Sequence, residues 1–391
     1  MKLLKNKRFL TILSLFFVWR IGLFGTSMIA PNFLTYAPSF PYSDAILAHF
    51  EVPQWLFSWG NFDGVHYITI IDKSYAGADL IQAFFPGFPL IVKLVNLFIN
   101  NILISALLVS NLFFLAFLYV WYLFIEKRYS KTTALLSTLI ILLFPTSFFF
   151  GAIYNESLFL LLVILTFWFA EKKKYLVAAL FIAAASATRI VGILLIPAVL
   201  AELIFKDYQF DQYKKILLTV RKKITPIVTM LLGSVGLLAY MAFLQVKYGD
   251  PLYFFHVQVE FGGIRQESLV IYPQVVYRYI KILLTARPFN FSYFSSVSEL
   301  ITGIGGLVLI LLSYKKVKIS YFLFALLAFI LPTLTGTFSS MPRYVLVSFP
   351  IFIFLALWSE KSPWFKYSWF IISGILLVFN TVLFIQGIWV A

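Results

Sequence analysis

The sequence predicts an all-α membrane protein that crosses the bilayer many times, and three observations predict it. Of its 391 residues, 61% are hydrophobic and only 12% are charged, whereas an ordinary soluble domain carries about 25% charge. Apolar runs of about 20 residues recur along the whole length, each enough for a helix across a hydrocarbon core of roughly 30 Å. The basic residues sort onto one side of such a chain. An ordinary soluble enzyme is excluded, and so is a transmembrane barrel, because segments of about ten residues with alternating polarity are not found.

Hydropathy and the rule that cytoplasmic loops are rich in Lys and Arg, solved together, give eleven spans. They run over 9 to 30, 101 to 125, 132 to 150, 156 to 171, 174 to 188, 190 to 205, 224 to 246, 295 to 312, 320 to 336, 343 to 359 and 367 to 390. KLLKNKR before FLTILSLFFVWRIGLFGTSMIA has the look of a leader, but the apolar part is too long and Arg20 interrupts it, so an uncleaved first span is expected. The segment 84 to 99 holds two prolines and Lys93, and reads as interfacial or re-entrant. The cytoplasmic side then receives the N-terminus and the stretches 126 to 131, 171 to 174, 206 to 223, 315 to 318 and 360 to 366. Together with Glu202 these hold 21 of the 31 basic and 6 of the 16 acidic residues, which is the whole formal charge of +15.

In a soluble domain such a charge would suggest nucleic acid. Here it is a topogenic signal, and no nucleic-acid partner is expected. With no cysteine there is neither a disulfide framework nor a thiol metal site. No inverted repeat of the transporter kind is visible. The expected architecture is one transmembrane domain over 1 to 391, with two long outer loops, 31 to 100 and 247 to 294.

The conspicuous polar motifs of the apolar region all fall on the outer side. Asp63, His66 and Asp72 lie in the first loop, followed by QAFFPGFPL at 82 to 90. FPTSFFFGAIYNES, 144 to 157, and ATRIVG, 187 to 192, occupy turns between spans. YGDPLYF, 248 to 254, opens the second loop, and SSMPRYVLVSFP, 339 to 350, enters the tenth span. Convergence on one membrane surface is the pattern of an interfacial active site rather than a midplane ion path.

Residue by residue, bland readings stand beside functional ones. Asp63 and Asp72 are ordinary solvated loop acids or, for Asp63 among Trp55, Phe57, Trp59, Phe62 and Tyr67, a desolvated carboxylate suited to general base work. His66 is an interfacial hydrogen-bonder or part of the site. Glu156 after Asn155 suits a helix start, where an acid meets the positive end of the macrodipole. Tyr154 belongs to an aromatic belt, and Asp250 to a Gly-Asp-Pro turn. The arginines are harder to explain as filler. Arg343 follows Pro342 at a helix start, an unfavourable place for a cation without an anion nearby. Arg189 lies inside an apolar segment, where it either snorkels to the interface or serves the site. Together the two are expected to clamp a phosphate.

The ordered set DGVHY, QAFFPGFPL, FPTSFFFGAIYNESLFLLL, ATRIVG, YGDPLYF and MPRYVLVSFPIF resembles the bacterial relatives of GPI mannosyltransferase 2, the phosphatidylinositol-glycan class V family of the GT-C glycosyltransferase superfamily. The resemblance covers about residues 55 to 355. It implies a GT-C-like bundle in a prokaryotic cell membrane, with an extracytoplasmic site and a cytoplasmic N-terminus. It also implies an inverting mannosyltransferase that uses a polyprenyl-phosphate sugar as co-substrate on an acceptor lipid, glycan or protein. Carried over, Asp63 is the catalytic acid of the loop. Arg189 and Arg343 hold the donor phosphate, and Gln82, Tyr154, Asn155 and Glu156 line the substrate, with His66, Asp72 and Asp250 beside them. Where relatives carry a basic residue and Trp before the acid, this chain has Asn61 and Phe62. No dense carboxylate or histidine cluster points to a tight metal site, which leaves room only for a loosely held divalent cation.

Two other readings compete. A flippase or transporter of a lipid-linked sugar would need ionisable or helix-breaking positions near the midplane of several spans, and few exist beyond Arg20. A transferase-like scaffold without activity is compatible with Asn61 and Phe62.

Overall fold

A computed structural model of the chain describes residues 6–205, 219–260 and 265–390. The expected Lys-rich loop 206 to 223 thus lies outside the described residues up to position 218, as does the start of the basic N-terminus. Among the described residues regular structure is helical throughout. The first half comprises α1 (Lys7–Ile29), the loop helix α2 (Asp63–Lys73), α3 (Gly87–Ile99), α4 (Ile102–Arg128), α5 (Lys131–Leu143), α6 (Glu156–Glu171), α7 (Tyr175–Thr188) and α8 (Leu195–Phe205). The second comprises α9 (Ile224–Tyr248, tightened at Leu232–Ser234), α10 (Tyr272–Thr285), α11 (Phe291–Ser313), α12 (Ile319–Thr333), α13 (Pro350–Lys361) and α14 (Pro363–Ile385).

Each predicted span holds a helix, and the chain is a multi-pass integral membrane protein. Among the described residues five helices, α1, α4, α9, α11 and α14, are long and apolar enough to cross a bilayer unaided, or six if Met341–Val347 and α13 count as one bent span. The other apolar segments are shorter. Starts follow local chemistry: the side chains of Asn101, Ser130, Asn290 and Ser362 accept hydrogen bonds from the backbone N–H groups of Ile104, Thr133, Tyr293 and Phe365, satisfying orphan donors of the first turn.

The stretch 132 to 150, expected as one span, is helical only to Leu143. Pro145 follows, and residues 144 to 155 run as turns around one short 3-10 helix, Ser147–Phe150, buried from Thr146 onward. Such backbone survives at depth only where protein groups satisfy it. Asn380 donates to the Pro145 carbonyl at 3.1 Å, Trp19 to Ser147 Oγ at 3.2 Å, and Ser157 to the Phe150 carbonyl at 2.7 Å. The stretch 343 to 359, also expected as one span, bends by 82° between Val347 and Pro350. Proline lacks the N–H and crowds the preceding turn, which ends a helix running into it. The bend turns Met341–Val347 across the end of the bundle.

α6 is the axis of the fold. Every residue from Glu156 to Ile164 is buried, against α4 and α7. Lipid tails are as apolar as Leu, so helix association here depends on close packing. α7 carries AAASA at 183 to 187 and meets α9 at Gly233 and Gly236, where Ser186 Oγ donates to the Gly233 carbonyl at 3.0 Å. A Cβ on Gly236 would stand 1.8 Å from the Ala183 carbonyl oxygen, while one on Gly305 would meet nothing within 4 Å. Gly236→Ala is therefore expected to destabilise the protein by about 1–3 kcal/mol. Gly305→Ala, in the middle of α11, should be neutral or mildly stabilising. Thermal unfolding in detergent compares the two, and equal behaviour would contradict this helix contact.

Candidate active site

The site is assembled from chain segments that the bundle brings to one end. α2 begins at Asp63, directly after Phe62, whose backbone is left-handed (φ 57°, ψ −118°). A bulky residue holds such a conformation only when its surroundings enforce it. They do: the Phe62 ring packs on Phe40, Phe384 and Trp389. Asn61 Nδ2 donates to the Phe384 carbonyl at 2.7 Å. Asn61 and Phe62 thus dock the acid's loop onto the end of α14.

A second tie joins this loop to residues 151 to 156. The Ile153 N–H donates to the Trp59 carbonyl at 2.9 Å, the Tyr154 hydroxyl to the Asn61 carbonyl at 3.0 Å, and the Asp63 N–H to the Tyr154 hydroxyl at 3.2 Å. Burial pushes the Tyr154 hydroxyl well above the usual tyrosine range, so it stays a neutral bridge. Arg20 of α1 lies beneath both segments. Its guanidinium donates to the Gly151 carbonyl at 3.0 Å and sits 4.0 Å and 4.1 Å from the Phe24 and Trp59 ring centres. The charge that interrupts the first span fastens the two site segments together, its cost in lipid offset by cation–π and carbonyl contacts.

The ATRIVG turn ends α7 at Thr188, and Arg189 is extended (φ −152°, ψ 143°), which projects its side chain away from the helix. Gly192 permits this turn, because a Cβ there would stand 2.4 Å from the Ala185 carbonyl carbon. Arg189 Nη1 donates to Glu156 Oε1 at 2.8 Å and to Asn155 Oδ1 at 3.3 Å. From the opposite side, Thr146 fixes the Pro342 carbonyl at 2.6 Å and Arg343 reaches in. Its Nη1 pairs with Asp63 Oδ2, and its Nε lies 3.6 Å from Glu156 Oε1. Two acids and two arginines, from four separate parts of the chain, form one network. Glu156 is 2% exposed and Arg343 7%, whereas Asp63 keeps 20% of its side chain accessible. Among the described residues, nothing hydrogen-bonds the second carboxylate oxygen of Asp63.

These contacts bear on two expectations. Glu156 has a helix-start position, but its carboxylate is taken up by the arginines. Arg189 and Arg343, expected to await a phosphate, are already matched by Glu156 and Asp63. The network borders a cavity of about 750 Å³ whose lining includes Asp63, His66, Asn155, Glu156, Arg189 and Arg343. Four expected site residues stand outside that lining, among them Tyr154, the bridge described above. Gln82 is buried, donating to the Tyr75 carbonyl at 3.2 Å and to Tyr248 at 3.1 Å, so QAFFPGFPL wedges the loop against α9. Asp72 is exposed at the far end of α2. Asp250 pairs with His256 at 2.6 Å, which lowers its pKa.

Sequence reasoning missed Asp79, Arg265 and Trp389, which line the cavity. Their local stretches carry no motif, and only the turn of the chain after Ile385 brings Trp389 to the loop. Among the described residues no three His, Asp or Glu side chains gather as an ion site.

His66 stacks on Phe84 with ring centres 4.9 Å apart. Burial lowers its pKa below the usual histidine range, against an opposing pull from Asp63. The folded state therefore favours the neutral imidazole. This contribution to stability is complete above the unfolded pKa of about 6.5 and is lost as pH falls towards the folded value. His66→Gln protein should lose less stability than the parent between pH 7 and pH 5, as read by thermal unfolding. An identical acid dependence would contradict the burial assignment.

A family model described as mannosyltransferase (PIG-V) matches residues 5–280. That stretch contains Arg20, Asp63, Glu156, Arg189 and Arg265. No curated protein matches the chain.

Proposed function

Because the chain belongs to the PIG-V mannosyltransferase family, we propose that it is an inverting mannosyltransferase that moves mannose from a polyprenyl-phosphate donor to an acceptor hydroxyl, in this cavity, on the extracytoplasmic face of a cell membrane. The observation that carries the reading is the state of Asp63: one oxygen held by Arg343, the other open to the cavity. A base needs a fixed orientation and a free lone pair.

In this mechanism the acceptor oxygen attacks the anomeric carbon while its proton passes to the open oxygen of Asp63. The bond from that carbon to the phosphate oxygen breaks, and the prenyl phosphate leaves with the bonding electrons. A single carboxylate suffices for such an inverting displacement, where hydrolysis generally uses two. Arg343 orients the base, and Arg189 keeps Glu156 in place beneath it. Positive charge near the departing phosphate stabilises the charge that develops there. Sidedness follows from the one-sided basic loops, and the donor's prenyl tail stays in the lipid while its head enters at the interface.

The test uses purified protein in liposomes with membrane extract as the acceptor source. Radiolabelled mannose is supplied either on a polyprenyl phosphate or on GDP. Label should move to a new product from the lipid-linked donor alone. Transfer from GDP-mannose and not from the lipid would overturn the donor assignment.

A further inference from the structure

The paired state of Arg189 and Arg343 leaves a question about any anionic ligand, since two guanidinium groups already matched by two carboxylates offer little net attraction. The cavity has one more arginine. Arg265 lines it, and among the described residues its one polar contact is a hydrogen bond from Nη1 to Gln258 Oε1 at 2.9 Å, with no carboxylate in ion-pair range. Ser339 and Ser340 line the same cavity, and among the described residues neither hydroxyl makes a hydrogen bond. Ser340 is 1% exposed and held at φ 68°, ψ 9°, a left-handed conformation that is unusual for serine and turns the chain into Arg343.

The stretch after Arg265, together with α10, is strapped to the segment that precedes this turn. The Gln266 N–H donates to the Thr335 carbonyl at 2.9 Å, the Val270 N–H to the Leu334 carbonyl at 3.0 Å, and Arg278 to the Gly336 carbonyl at 3.1 Å. Three contacts fasten the segment that carries Arg265 to the segment that leads to Ser339 and Ser340. The result is a cation that makes no salt bridge among the described residues, though it acts at longer range on the buried Glu299 carboxylate, beside two hydroxyl donors on the wall that continues into Arg343 and Asp63. Asp79 and Glu260 also line the cavity, but both are exposed and neither pairs with Arg265.

We infer that Arg265, with the hydroxyls of Ser339 and Ser340, is the subsite that takes the phosphate of a lipid entering the cavity. The inference rests on the proposed transferase reading and assigns the anion-binding role to different residues from the sequence expectation. Division of labour follows: Arg343 and Arg189 hold carboxylates, and Arg265 holds the ligand. A guanidinium supplies paired donors suited to phosphate oxygens. Two lipids could bring the phosphate, the donor itself or a phospholipid acceptor, and the chemistry at Arg265 is the same for both.

The experiment measures binding to purified full-length protein of farnesyl phosphate, farnesol and a short-chain phosphatidylinositol. Arg265→Gln should weaken at least one phosphate ligand by about tenfold or more while leaving farnesol unchanged. Loss confined to farnesyl phosphate assigns the subsite to the donor, and loss confined to phosphatidylinositol assigns it to the acceptor. Arg265→Lys, which keeps the charge, should retain most of the affinity and guards against a folding artefact, as does an unchanged melting temperature. Wild-type affinity of Arg265→Gln for both phosphate ligands overturns the inference and leaves the transferase reading standing. If the parent protein binds neither phosphate and transfers no mannose from a prenyl phosphate, both fall.

Discussion

Purified Asp63→Asn protein is expected to transfer mannose at least about a hundredfold more slowly than the parent, the scale on which a positioned general base contributes, while remaining folded. The substitution keeps size and shape, and an amide oxygen can still accept from Arg343, so the loop tie through Asn61, Tyr154 and the α2 backbone is untouched. What disappears is a proton acceptor at the cavity wall. Asp63→Glu separates position from charge, since it retains a carboxylate and displaces it by one methylene. A misplacement of about 1 Å typically costs on the order of a hundredfold, so this variant should also be slow. Single-turnover transfer from labelled donor, with unfolding temperature alongside, checks the pair. Undiminished transfer by Asp63→Asn would remove Asp63 from the base role, and full activity in Asp63→Glu would mean that the acid acts only as charge.

The class of the molecule was legible because lipid imposes a simple constraint, that every backbone group be satisfied within a helix or by protein. That constraint writes itself as long apolar runs, and α1, α4 and α14 follow them closely. Where the backbone is satisfied by side chains from elsewhere, the same runs mislead. Residues 144 to 150 are as apolar as a span, yet Pro145 and partners from α1 and α14 hold them as a turn and a short 3-10 helix that do not continue α5. The bend before α13 was written in Pro350, but its consequence, aiming Arg343 across the bundle, depends on packing.

The candidate site divides in the same way. Asp63, Glu156, Arg189 and Arg343 could be singled out as charges in apolar settings, because an ionisable group there needs a reason. Their partners could not be read, since pairing an arginine with the right acid 280 residues away is a tertiary fact. Arg265 lacks an apolar setting altogether, and a loop arginine in a chain with 31 basic residues looks ordinary. Gln82, a motif residue, has its side-chain amide bonded into the scaffold, a contact that spacing alone does not reveal.

Arg343→Ala should be the most disruptive single change in the network, because it removes one cation from between two acids. Glu156, 2% exposed, would keep Arg189 but lose its second cation, and Asp63 would lose its only ion-pair partner among the described residues. Removing one member of a buried pair typically costs about 3–5 kcal/mol, since the charge left behind is neither solvated nor matched. Arg343→Ala is therefore expected to melt markedly earlier and to lose transfer. A second change distinguishes an unmatched charge from lost packing: Glu156→Gln in the Arg343→Ala background removes one of the stranded carboxylates. If the electrostatic account holds, the double variant is more stable than Arg343→Ala alone, a positive coupling that a double-mutant cycle reads directly. Activity should not return with stability, because Asp63 still lacks the guanidinium that orients it. Arg343→Lys completes the argument, since an ammonium keeps the charge without a fork that spans both acids. It should recover most of the stability and little of the rate. Additive losses in the cycle would mean that Arg343 and Glu156 act independently, and the shared network would have to be abandoned.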